Sequence, residues 1–310
     1  MDITDPPAET PPDYIAAARA AGIPLRQSAP IRRGPYPLQL PILEYLRSKR
    51  VILASASPRR KALLSQLGLP NIEIWPSTAP EDLDKKKHTP EEYVAATARR
   101  KCLAVYEAAL ARQNQLTMTS SSSSSAQNQQ QQQQTQDPAP PDGDNDEATR
   151  QRQLQDPALV IAADTVIATR DGRVLEKPRS EADHVRMLRL LRDTRHHRVL
   201  TGVCALAPRA DAAHPGYSLA SHVEATKVVF AEADDGLPDD VIEAYVKTRE
   251  GADKAGGYAI QGVGGLLLVE SVEGCVDNVI GLPVRKCLQL CEKVVFRQDQ
   301  REDEEGEESE

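Results

Sequence analysis

Val51-Ile-Leu-Ala-Ser55-Ala-Ser-Pro58-Arg-Arg60-Lys-Ala-Leu-Leu64 decides the architecture. The apolar run Val51 to Ala54 fits a short strand buried on both faces. Ser55, Ser57 and Pro58 follow at once, and a Ser N-cap with Pro at the first helical position marks a helix start. That helix stops at Gly68. The same rhythm recurs along the chain. Leu159 to Ala163 predicts a second buried strand, and Val166 to Leu175 holds the hairpin signal Asp171-Gly172. Strands are also expected over His197 to Leu206, Ser221 to Phe230 and Gly265 to Val272. Helices are expected over Glu91 to Arg112, Ser180 to Leu191, Pro238 to Thr248 and Leu282 to Val294. This is an α/β chain, with strands in more than one orientation.

Outside these stretches the composition changes. Residues 1–46 are rich in proline, which breaks helices and central strands, so they read as a disordered extension with at most a short helix at Asp13 to Ala21. Residues 113–156 carry a serine run, a glutamine run and DPAPPDGDNDE, a composition with too little apolar surface to offset chain entropy. They read as a disordered insertion inside one domain spanning 47–296, because loop closure entropy grows only slowly with length. Residues 297–310 form an acidic tail.

Charge and composition exclude several classes. The 310 residues include 38 Lys and Arg against 46 Asp and Glu, a net charge of -8, which argues against non-specific nucleic-acid binding. No apolar run approaches the roughly 18 residues of a membrane span, so no membrane partner is expected. Met1 to Pro12 lack the basic and apolar regions of a secretory signal. The 5 cysteines are too scattered for a disulfide framework, which points to a reducing, cytoplasmic home. The 6 histidines show no metal-ligand grouping.

Chemistry concentrates in a few places. Ser55, Arg59 and Arg60 stand at a helix start, where unpaired N–H groups and guanidinium groups suit a phosphate chain. Asp164 follows the second apolar strand; it either holds a divalent cation, takes a proton from water, or caps the turn after it. Lys177 follows the hairpin, and Lys254 lies on the Gly-flanked turn Asp253 to Tyr258; both suit point-charge contact with phosphate. Gln261 offers a donor and an acceptor for a base edge. Glu81, in a polar loop, is a second carboxylate.

In order, LASASPRRKALL, EEYV with ARRK, AADTVI, EKP, HRVLTGV, DKAGGYAIQG and NVIGLP resemble the Maf family of nucleoside triphosphate pyrophosphatases. The resemblance covers the core but neither tail nor the insertion. It implies an elongated, inosine-triphosphatase-like mixed sheet with flanking helices and a central cleft, in proteins that are often dimeric. It further implies hydrolysis of a nucleoside triphosphate to monophosphate and pyrophosphate with Mg²⁺ or Mn²⁺. On this sequence it makes Asp164 the proton acceptor, with Glu81 and Asp164 on the metal. It makes Ser55, Arg59, Arg60, Lys101, Lys177 and Lys254 the phosphate-cleft residues. Arg59, Thr165 and Gln261 match the dTTP/UTP branch; the 7-methyl-GTP branch is expected to carry Trp, Gln and Glu there. The acidic loop, APEDLDKKK, departs from the usual Asp-Glu pair. The other readings are a 7-methyl-GTP or broader modified-nucleotide pyrophosphatase, and a non-catalytic scaffold on the same fold.

Overall fold

A computed structural model describes residues 38–80, 82–84, 87–126, 155–209, 211 and 216–298. Glu81, the Asp13 to Ala21 helix, the glutamine run and the acidic tail beyond Gln298 lie outside the described residues. The described residues from Leu38 onward belong to one compact unit.

Its centre is a mixed sheet of seven strands among the described residues. These are β1 (Val51–Leu53), β2 (Glu73–Ile74), β3 (Leu159–Ala168), β4 (Val174–Leu175), β5 (His196–Pro208), β6 (Tyr217–Phe230) and β7 (Val269–Glu273). The order is β2-β1-β3-β5-β6-β7, with β4 paired to β3. The strands β2, β1 and β3 run parallel, whereas β3, β5, β6 and β7 pair antiparallel. Mixed orientation was expected, and the Asp171-Gly172 turn does join the antiparallel β3–β4 hairpin.

Helices cover both faces. They are α1 (Pro41–Arg47), α2 (Pro58–Gln66), α3 (Pro90–Ala126), α4 (Glu181–Asp193), α5 (Asp239–Lys247), α6 (Val263–Leu267), α7 (Val276–Ile280) and α8 (Val284–Phe296). Their starts follow the capping chemistry of the sequence. Ser57 Oγ accepts the Arg60 N–H at 3.5 Å, with Pro58 in the first turn of α2. Thr89 and Glu92 exchange reciprocal bonds of 3.2 and 2.9 Å, a capping box heading α3. One face of β1, β3 and β5 packs Leu53, Ile161 and Val203 against Leu43, Leu64 and Cys287 of α1, α2 and α8. The other face packs Val160 and Ala162 against Cys102, Val105 and Tyr106 of α3. Farther along the sheet, Val199 and Phe230 meet Leu188 of α4 and Tyr245 of α5.

Three expectations change. Residues 41–46 are not extension: Pro41 begins α1, where its missing N–H costs nothing, and Ile42, Leu43 and Leu46 are fully buried. The helix expected to end at Arg112 runs to Ala126 into the supposed insertion, since no Pro or Gly interrupts residues 113–126. Gly265 to Leu267, expected as strand, belong to α6, where Leu266 and Leu267 are exposed and do not alternate.

Candidate active site

The strand β3 has a complete partner in β5, but its other edge is divided. β1 pairs with it only as far as Leu53 opposite Ile161, and β4 joins only from Ile167. Asp164 and Thr165 occupy the gap. The sequence places them at the end of a strand; in the structure they lie mid-strand, because Val166 to Ala168 continue into the hairpin. It is the neighbouring strand that ends there, leaving room for a ligand without breaking β3. A cavity of about 510 Å³ opens at this point.

Side chains alternate across a strand, so Asp164 and Thr165 serve opposite faces. Asp164 shares the face of Ala162 and Val160, over which α3 passes. Lys101 of α3 donates from Nζ to Asp164 Oδ1 at 2.8 Å, with side chains 13% and 16% exposed. The approach of α3 depends on Gly202, which faces Asp164 across the β3–β5 pair. A Cβ at Gly202 would lie 2.3 Å from the Val94 carbonyl oxygen. Lys101 follows Val94 by seven residues, two helical turns, so it emerges on the same side of α3.

Thr165 turns to the α2 face. Its hydroxyl accepts from Arg60 Nη2 at 2.9 Å and meets Thr201 Oγ1 at 3.0 Å. Thr201, fully buried, donates in turn to the Asn278 carbonyl at 3.2 Å. Arg60 also donates from Nη1 to Ser55 Oγ at 2.9 Å and from Nε to the Gly281 carbonyl at 2.7 Å. One guanidinium thus joins the β1–α2 loop, the middle of β3 and the α7–α8 connection.

The remaining cations arrive on loops. The Gly256 N–H donates to the Glu176 carbonyl at 3.1 Å, tying the Lys177 segment to the Lys254 turn. Lys254 Nζ lies 2.6 Å from Asp253 Oδ1, and Arg59 Nη1 lies 3.7 Å from Asp253 Oδ2. Asp253 therefore sits between two cations from distant parts of the chain. Burial raises its pKa, but the Lys254 bond and the Arg59 charge outweigh that and hold the carboxyl below its usual range. Gln261 lies on the exposed turn before α6 and also lines the cavity.

Every site residue expected from sequence and described in the structure lines this one cavity: Ser55, Arg59, Arg60, Lys101, Asp164, Thr165, Lys177, Lys254 and Gln261. Glu81 lies outside the described residues. Glu176 and Asp253 line it as well, although no role was expected for either. Five Lys or Arg face three Asp or Glu in the lining, a local positive surplus in a chain of net charge -8. Such a cavity attracts polyanions. Thr201 and Gly202 lie in the HRVLTGV stretch but drew no individual role, because a Thr and a Gly inside an apolar strand carry no chemical signature by themselves.

A family model described as Maf-like protein matches residues 50–294. Over 266 residues the chain is 37% identical to a Schizosaccharomyces pombe protein named dTTP/UTP pyrophosphatase, covering 85% of this chain and 91% of that one. A protein of the same name from Anaeromyxobacter dehalogenans is 38% identical over 247 residues, 80% of this chain and 95% of its own. Another, from Pyrococcus furiosus, is 33% identical over 244 residues, 79% and 95% of the two chains. The family match includes every strand and all the cavity residues named above, and on that match the chain belongs to the Maf family.

Proposed function

We propose that the protein hydrolyses nucleoside triphosphates, with dTTP and UTP preferred, to the monophosphate and pyrophosphate. The observation that carries this reading is the gathering of five cations from the α2 start, α3, the post-hairpin loop and the Asp253 turn around Asp164. A triphosphate carries about four negative charges, and fixed cations in a partly desolvated cleft stabilise the charge that develops on the leaving pyrophosphate. The names of the curated relatives support the same substrates.

Asp164 is the general base in this reading. Its Oδ1 is held by Lys101, while Oδ2 carries no protein hydrogen bond among the described residues. The lysine fixes the carboxylate, and Oδ2 orients the water that attacks in line at phosphorus. Arg59, Lys177 and Lys254 hold the phosphates. Arg60, committed to Ser55, Thr165 and Gly281, fixes the wall from which they reach. Gln261 reads the base.

A divalent cation, Mg²⁺ or Mn²⁺, completes the proposal. Asp164 and Glu176 both line the cavity, the one or two carboxylates that Mg²⁺ takes when it comes with substrate phosphates. Among the described residues no cluster of three or more His, Cys, Asp or Glu forms a ready-made metal site. The donor set therefore fits a cation that shares the nucleotide, with Glu81 as a further ligand. When bound, it screens the phosphate charge. No helix among the described residues is long and apolar enough to cross a membrane. A cytoplasmic homodimer belongs to the same proposal, tested by fractionation and by light scattering.

The deciding experiment measures pyrophosphate release from dTTP, UTP, CTP, ATP, GTP and 7-methyl-GTP with each metal, for the wild type and Asp164→Asn. We expect dTTP and UTP to be turned over fastest, and Asp164→Asn to lose about 10²–10⁴-fold in rate at an unchanged melting temperature. Retained turnover in Asp164→Asn removes that residue from the role, and a preference for 7-methyl-GTP overturns the substrate assignment.

A further inference from the structure

Gln261 lies on an exposed turn, a poor platform for base selection unless something stiffens it. The stiffening comes from Glu250, in the segment after α5. Its Oε1 accepts the Val263 N–H at 3.0 Å and its Oε2 accepts the Gly264 N–H at 2.9 Å. The Tyr245 hydroxyl accepts the Ala259 N–H at 3.2 Å and helps hold the Glu250 carboxyl below its usual range. The turn is thus held at 259, 263 and 264, on both sides of Gln261. Close packing enforces this: a Cβ at Gly262 would lie 1.8 Å from Glu250 Oε1. Burial raises the Glu250 pKa, yet the two N–H bonds and the Tyr245 hydroxyl outweigh it, so the carboxylate stays ionised. The main-chain carbonyl of Glu250 also accepts from Lys254 Nζ. One residue therefore anchors both the base-side turn and a phosphate-side lysine.

We propose that Glu250 is the positioning residue for nucleobase selection: it acts through Gln261, holding that turn in fixed register with Lys254 so that base and phosphates are measured against one rigid frame. This rests on the reading in which Gln261 meets the base. An unclamped turn lets Gln261 sample several positions, and the hydrogen bonds that separate a pyrimidine from a purine are averaged away.

The test is the ratio of kcat/KM for dTTP over GTP, measured on the full chain for Gln261→Ala, Glu250→Ala, Glu250→Gln, Tyr245→Phe and the double variant Glu250→Ala/Gln261→Ala. We expect Gln261→Ala and Glu250→Ala each to lower the ratio about three- to tenfold, the worth of a hydrogen bond. The double variant should fall no further than Gln261→Ala alone, because the two residues act in series. Glu250→Gln, which keeps one acceptor oxygen, should recover part of the ratio. Tyr245→Phe removes one hydroxyl from a residue that otherwise keeps its packing. It should shift the ratio in the same direction, and it decides the matter if Glu250→Ala does not fold. If Gln261→Ala collapses the ratio while Glu250→Ala, or Tyr245→Phe in its place, leaves it intact, the positioning role is wrong and the base-reading role stands. If Gln261→Ala leaves the ratio intact, the base-reading role falls and takes the positioning role with it.

Discussion

Gly202→Ala tests how the site is held together, because Gly202 pairs with Asp164 across β3 and β5 yet does not itself line the cavity. The added Cβ would lie 2.3 Å from the Val94 carbonyl oxygen and 2.5 Å from its carbon, where ordinary contact begins at 3.4 Å. Both obstacles are backbone, so no side chain can swing aside. The helix α3 must retreat from β5 by about 1 Å, a misplacement that can cost ~10²-fold in rate. Lys101, two turns on, retreats with it and loosens its 2.8 Å bond to Asp164. We expect kcat to fall by about two orders of magnitude, with a stability loss of about 1–3 kcal/mol from overpacking. The KM for dTTP should change little, since Arg59, Lys177 and Lys254 are carried by other segments. The assay is continuous pyrophosphate release, with urea denaturation on the same preparation. A variant with wild-type kcat, whatever its stability, refutes the claim that the Gly202 contact sets the Lys101–Asp164 distance.

Three further predictions follow from the same geometry. Thr201→Val removes a fully buried hydroxyl bonded to Thr165 and to the Asn278 carbonyl; it should cost about 1–3 kcal/mol in denaturation, and Thr201→Ser should restore most of it. Asp253→Asn leaves Arg59 and Lys254 without their shared anion; pyrophosphate should then inhibit about two- to fivefold more tightly at low salt, and weaker inhibition would contradict the arrangement. Burial, aided by the His196 charge, lowers the His197 pKa from its usual 6.5 to about 3. The unfolded chain therefore takes up a proton below pH 6.5 that the folded chain refuses. Its contribution is complete above 6.5 and declines as pH falls, at up to ~1.4 kcal/mol per pH unit. Urea midpoints between pH 6.5 and 5 should drop in the wild type and flatten in His197→Gln; equal slopes would contradict this.

Much of this molecule is legible in its sequence. The β1–α2 start, the β3–β4 hairpin and the Ser180 cap of α4 are local, and each is written by residues within a few positions of one another. The cavity residues were legible because charged and polar groups stand at the edges of apolar runs, where they are costly unless used. What was not legible depends on partners far away. α1 reads as a proline-rich extension until α8 is seen to cover it, since Pro41 alone does not reveal that Ile42 and Leu43 are buried. Asp164 reads as the end of a strand because its own segment does not say that β1 stops first. Glu250 has no local signature: its value lies in two N–H groups of a turn, 13 and 14 residues on, brought back against it.

The bonds of Arg60 set the order in which the protein can become competent. They span 105 residues to Thr165 and 221 to Gly281, so they close only after almost the whole core has been synthesised. Contacts of such separation form late in folding, once chain-closure entropy has been met by other burial. A chain that ends before Gly281 lacks one of the three segments that Arg60 joins at the pocket. Nucleotide turnover is therefore expected only of chains that reach the α7–α8 connection.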